Sequence, residues 1–292
     1  MSNIVLLGQS HAVSLLDAIC DWRSALRLNA ASPAEADYSP AFRGWLSVNT
    51  QGQMIQPVMH PRYAAFSRMR VCLLSAAAFS GVLANVTAVE GGQVRLSATD
   101  TLMGFIRAVG DADTIISVIS GNHHAKLALV GSYPAYDFAP YTAPPEGQPV
   151  DRIHINDLLA QLGSMVAAPL ACLRSAFPRA RILHVTPPPP LLDPSKATVH
   201  EALREEIRQH GFTAPGLRRK WHEAYIEQLK AQLAPLRVEV VGADPVATSS
   251  EGFLAPELAE GLTHGNAAYG EHLAAALLAR LQAGLQPGTR AP

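Results

Sequence analysis

At 292 residues, with 48% hydrophobic and 16% charged positions, the chain has the composition of a compact folded protein, which excludes general disorder. A formal net charge of −1 and 6% aromatic residues supply neither the field nor the stacking surface that nucleic-acid binding needs. Cys20, Cys72 and Cys172 are odd in number and widely spaced, which predicts buried free thiols and argues against a disulfide framework or a zinc site.

The first apolar run, Ile4 to Leu7, is a strand's length and follows no basic leader. No stretch approaches the roughly 20 apolar residues of a membrane span. A cytoplasmic protein without a membrane span is the expectation. That first run continues to Gly8 and is apolar throughout, as a strand of a parallel sheet buried on both faces would be. Gly8-Gln9-Ser10-His11 interrupts it, and helical spacing follows at Val13, Leu15, Leu16, Ile19 and Trp22.

Residues 29–62 lack periodicity and predict a long irregular excursion. Residues 70–79 and 81–89 read as strands, with Gly91-Gly92 placed for a tight hairpin turn into a further strand, "QVRLSA". A helix is predicted over 100–109, with Thr99 or Asp100 as its cap, and a β-branched strand over 113–120. The latter runs into Gly121-Asn122-His123-His124. A loop covers 131–150. A helix over 155–177 contains Pro169, expected as a kink or break. The strand 180–185 is closed by Pro187–Pro190; two charged helices, 195–209 and 214–234, flank Gly211; the last strand is 237–242 and the last helix about 266–285. This alternation predicts one α/β domain over 1–292, with helices on both faces of the sheet, an insertion at about 29–97 and a flexible tail at about 286–292.

Open parallel sheets bind ligands at the carboxyl ends of their strands. That rule selects Ser10 and His11, the Asn122–His124 loop, and His264 in "EGLTHGNAAYG" before the last helix. Acyl transfer needs a nucleophilic hydroxyl, a base and oxyanion donors, and Ser10, His264 and Asn122 are of those types.

Here the pattern resembles the SGNH hydrolases, the GDSL-like esterases and acylhydrolases. The strand-ending "LLGQSHA" is similar to that family's nucleophile block, which implies Ser10 as nucleophile, with Gln9 where the family has Asp. "ISGNHH" resembles its Gly-x-Asn block and implies Asn122 as oxyanion donor. "GLTHGNAAYG" resembles its final block and implies His264 as base. The resemblance implies a three-layer flavodoxin-like fold, a mostly parallel five-stranded sheet with a small hairpin insertion, no cofactor, and a small-molecule or carbohydrate ester as substrate. Where the family carries its histidine-orienting Asp, this chain has Gly261; Glu260, one place away, or a backbone carbonyl is the expected substitute. Gly44 and Gly81 are the candidates for the glycine amide that completes the oxyanion hole.

Other readings stand beside these. Ser10 can cap the first helix, Asn122 can be a turn residue, and His264 can be a polar residue near a helix start that Asn266 caps. His184, inside "RILHVT", reads as a core histidine. Two further functions are weighed: a binding module without activity on the same fold, and a metal-assisted hydrolase using His11, His123 and His124.

Overall fold

The computed structural model describes residues 3–22, 54–73, 83–88, 94–119, 123–131, 136–138, 148–199, 201–242 and 245–283. In chain order these form β1 (Ile4–Gly8), α1 (Ser10–Ile19), β2 (Met54–Ile55), β3 (Arg70–Leu73), β4 (Ala84–Ala88), β5 (Val94–Ala98), α2 (Asp100–Val109), β6 (Thr114–Val118) and α3 (His123–Leu129). They continue through β7 (Tyr136–Phe138), β8 (Gln148–Val150), α4 (Arg152–Ala176), β9 (Arg181–Val185), α5 (Glu201–His210), α6 (Pro215–Leu233), β10 (Val238–Val241), β11 (Ala259–Glu260), β12 (His264–Gly265) and α7 (Ala267–Ala283).

The main sheet has the order β10-β9-β6-β1-β3-β2. Its pairs are parallel except β2 on β3. Sequence reading predicts five strands and the sheet has six; the extra one, β2, is a two-residue edge strand, too short to leave a period-2 pattern. Successive side chains of a strand point to opposite faces, and β1 shows the result. Leu6 joins the core cluster beneath α1 and α7, with Leu16, Ile116, Leu183 and Leu277. Val5 and Leu7 join the opposite cluster beneath α2, α4 and α6, with Phe105, Ile115, Leu170 and Tyr225. The molecule is therefore the three-layer α/β arrangement that the alternation of elements predicts.

β4 and β5 form the expected antiparallel hairpin, from Ala84 opposite Ala98 to Ala88 opposite Val94; its Gly91-Gly92 turn lies outside the described residues, as does the predicted strand beyond Leu73. The loop predicted over 131–150 contains a short parallel pair, β7 with β8. Pro169 neither breaks nor ends α4, which runs from Arg152 to Ala176. Proline removes its own N–H bond and crowds the carbonyl four residues before it, and burial of Val166, Pro169, Leu170 and Leu173 offsets that cost. α4 is long and apolar enough to cross a membrane, with a stretch of mean hydropathy 1.3. One side of it is nevertheless buried in the core beside α6, the pattern of a core helix.

His184 is the core histidine the sequence suggests. It is fully buried on β9, opposite Ser117 of β6, whose Oγ lies 3.2 Å from its Nδ1. Desolvation pushes its imidazole down to about 4. The unfolded chain, with an ordinary value near 6.5, binds the extra proton between those two pH values. The stability from this buried neutral ring is present above about pH 6.5 and is lost as pH falls toward 4. The loss is about 3 kcal/mol. Urea titrations at stepped pH measure it, and His184→Leu is expected to flatten that part of the slope.

α1 and α7 lie side by side, and their approach is set by one glycine. A Cβ on Gly270 would come within 1.8 Å of the Ser14 carbonyl oxygen and 3.0 Å of the Ala18 Cβ. Gly270→Ala is expected to force the helices apart and cost about 2 kcal/mol, read as a lower urea midpoint with an unchanged slope.

Candidate active site

β1 ends at Gly8 and the chain turns at once into α1. A Cβ on Gly8 would lie 2.3 Å from the Ala12 Cβ, so only glycine lets the helix start fold over the strand end. Gln9 is the N-cap, in extended conformation, and its side chain makes no capping bond. Its N–H donates to Val118 O at 3.2 Å and lengthens the β1–β6 ladder by one bond. Ser10 is therefore not the cap. It is the first helical residue, where N–H groups have no intrahelical acceptor and the helix dipole favours negative charge.

β3 and β6 flank β1 on opposite sides. The strand order reverses at β1, and Ser10 stands at its carboxyl end, the crevice position of open α/β sheets.

His264 arrives from the other end of the chain. It sits in the short ladder of β11 with β12, directly opposite Glu260. Asn266 caps α7 as the sequence suggests: its Oδ1 accepts from Tyr269 N at 3.2 Å and its Nδ2 donates to Glu257 O at 2.7 Å. This anchored turn presents His264 to Ser10, with Nε2 3.0 Å from Oγ. Both side chains are half-buried.

Thr263 Oγ1 lies 3.1 Å from His264 Nδ1. With Nε2 accepting from Ser10, Nδ1 carries the ring proton and donates to that hydroxyl. Thr263 thus stands where a triad would have its carboxylate. His11 stacks on the other side of the assembly, its ring 4.4 Å from that of His264 at 11°. Together a hydroxyl and a stacked ring fix the plane and tautomer of the imidazole.

Gly261 has φ +72°, and a Cβ there would meet Thr198 O at 3.3 Å. An aspartate at this position would be strained. Glu260 is exposed, but as the register partner of His264 it shares a face of the ladder with it. Asn122, Gly44 and Gly81 lie outside the described residues.

The histidines considered as metal ligands fall into separate pairs. His11 stacks on His264, while His124 Nε2 lies 3.4 Å from His222 Nδ1 and its ring packs on Tyr225 at 4.3 Å. No group of three or more His, Cys, Asp or Glu is arranged to hold a metal among the described residues; the side chain of His123 is outside them. Thr263 and the stacking role of His11 are not found by sequence reasoning, which looks three residues before a histidine for its partner. The adjacent hydroxyl in "LTHG" is the signal.

No protein-family model matches the chain, and no curated protein matches it in sequence. Solved structures do. A GDSL-like lipase from Bacteroides thetaiotaomicron aligns over 97% of this chain and 88% of its own, at 8% identity and a TM-score of 0.47. An extracellular lipase from Streptomyces rimosus aligns over 97% and 99%, at 10% identity and a TM-score of 0.46. A carbohydrate acetylesterase from Sinorhizobium meliloti aligns over 97% and 100%, at 16% identity and a TM-score of 0.39.

Thr263→Val keeps the shape but removes the acceptor of Nδ1–H. In a protein that hydrolyses esters through this pair, it is expected to lower kcat about tenfold with KM little changed. Steady-state kinetics on an activated ester, beside an unshifted melting curve, check it.

Proposed function

We propose that the protein is a serine-dependent ester hydrolase or acyl transferase, with Ser10 as nucleophile and His264 as general base. The observation that carries this reading is the 3.0 Å approach of His264 Nε2 to Ser10 Oγ at the carboxyl end of the central strand. Ser10 Oγ attacks the ester carbonyl as His264 takes its proton. The negative oxygen of the tetrahedral intermediate forms at the start of α1, where the Ser10 amide and the helix dipole favour it. Asn122 is carried into the same role by the resemblance of its loop. The intermediate collapses, the C–O bond breaks, and His264 returns the proton to the leaving alcohol. A water or a second alcohol then repeats the sequence on the acyl-serine. The chemistry calls for no metal or organic cofactor. The substrate class is a small-molecule or carbohydrate ester.

A binding module without activity is the second reading, favoured by Gly261, which places no carboxylate where a triad has one. One experiment separates them. The purified protein is expected to cleave a short-chain activated ester and to be labelled by a fluorophosphonate, and Ser10→Ala is expected to lose both. Equal turnover by wild type and Ser10→Ala removes Ser10 from the mechanism; no turnover and no labelling of the wild type selects the binding module.

A further inference from the structure

Three sides of the His264 ring are in use. Its Nε2 edge meets Ser10 Oγ at 3.0 Å and its Nδ1 edge meets Thr263 Oγ1 at 3.1 Å. One face lies on the ring of His11, with centroids 4.4 Å apart and planes 11° from parallel. Both edges hold hydroxyls, which orient a protonated ring but set no charge against it. The face is where His11 can act on that charge.

His11 is 9% exposed, and its Nε2 is shut off from solvent. That nitrogen is therefore not offered to a substrate, and what His11 does for the reaction it does through His264. Two conditions favour its neutral form. It is the second residue of α1, at the positive end of the helix dipole, and burial disfavours a charged ring. A proton on His264 disfavours one on His11 further, because like charges 4.4 Å apart repel. The stacked pair thus takes up one proton, on the ring that touches Ser10. A neutral π face attracts a cation laid over it, more strongly where water is excluded.

Other titratable groups stand on the elements packed against β12. Glu260 is opposite His264 in the ladder and exposed. On α7, Tyr269 is buried in the core, Glu271 is bound to Arg62, and His272 follows it. On α1, Asp17 accepts from Trp22 Nε1. None of these is stacked on the His264 ring as His11 is.

We propose that His11 is a positioning residue for proton transfer: the face of its neutral ring supports the positive charge that His264 acquires when it takes the Ser10 proton. Ser10 and His11 are neighbours on the first turn of α1, so nucleophile and support move as one piece. The inference rests on the Ser10–His264 reading and adds to it what sustains the imidazolium.

Histidine side-chain NMR titration tests it, with the two rings assigned by the signals lost in His11→Leu and in His264→Gln. In the wild type His264 is expected to take its proton at higher pH than His11. In His11→Leu the midpoint of His264 is expected to fall by about half a pH unit or more, and His11→Phe, which keeps a π face but cannot titrate, restores it. The same fall is expected in the Ser10→Ala background, where misalignment with the nucleophile cannot produce it. A wedge that merely fills space would leave the midpoint where it was. A wild type in which His11 is protonated first, or a His264 midpoint indifferent to His11→Leu, overturns the proposal. Where His11→Phe does not fold, those two results decide it.

Kinetics on an activated ester supply the second reading. His11→Leu is expected to lower kcat about fivefold with KM little changed. A lower midpoint keeps the base unprotonated to lower pH, so the acid limb of the pH–kcat profile is expected to move down with it. Should Ser10→Ala keep its esterase activity while the His264 midpoint still depends on His11, the nucleophile assignment fails and the stacking role stands. A midpoint that ignores His11 overturns that role, whatever Ser10 does.

Discussion

The close approach of α1 to α7 is the constraint on which the candidate site depends. Ser10 and His264 are 254 positions apart, and neither belongs to an element that touches the other through the sheet. They meet because α1 begins at Ser10, α7 begins three residues after His264, and the two helices pack along their length. Gly270 permits that packing by leaving room for the Ser14 carbonyl. A hydrogen bond is lost within a few tenths of an ångström of displacement, so a helix–helix spacing governs whether the pair exists. The apolar cluster shared by the two helices, with Leu16, Tyr269 and Leu277 fully buried, is the source of the rigidity that a 3.0 Å contact needs.

Thr263 places a hydroxyl against His264 Nδ1. A carboxylate orients the ring and also stabilises the imidazolium that forms during attack. The Thr263 hydroxyl does the first and contributes only a dipole to the second. His11 adds a flat polarisable surface against the ring. The hydroxyl and the stacked ring together fix the orientation of the imidazole.

Much of this was legible in the sequence, and for identifiable reasons. β1 announces itself because a strand buried on both faces must be apolar at every position. Ser10 is conspicuous because that run stops at a glycine directly before helical spacing. His264 is found because the resemblance carries it, and Asn266 because capping residues are chemically few. What escapes sequence reading is of another kind. β2 is too short to have a period, and β7 with β8 pairs across a stretch rich in proline and glycine. Arg218 looks like one more charge on a solvated helix, "LRRKWHEAY"; it is buried because the chain after β9 folds its carbonyls onto it. Burial of that sort is a property of which segments meet, and no local pattern records it.

The left-handed turn at Gly261 bears on how such a site can change over generations. Replacing this glycine by any L-residue costs about 1–2 kcal/mol in backbone strain before the new side chain contributes anything. An orienting aspartate at that place would have to offset this strain through what its carboxylate adds. Selection acting on the imidazole is diverted to the neighbours that carry no such penalty, Thr263 beside it and Glu260 across the ladder. Variation among descendants of this chain should accordingly accumulate at those two positions while the glycine stays, so that a residue with no side chain directs where the catalytic partner can arise.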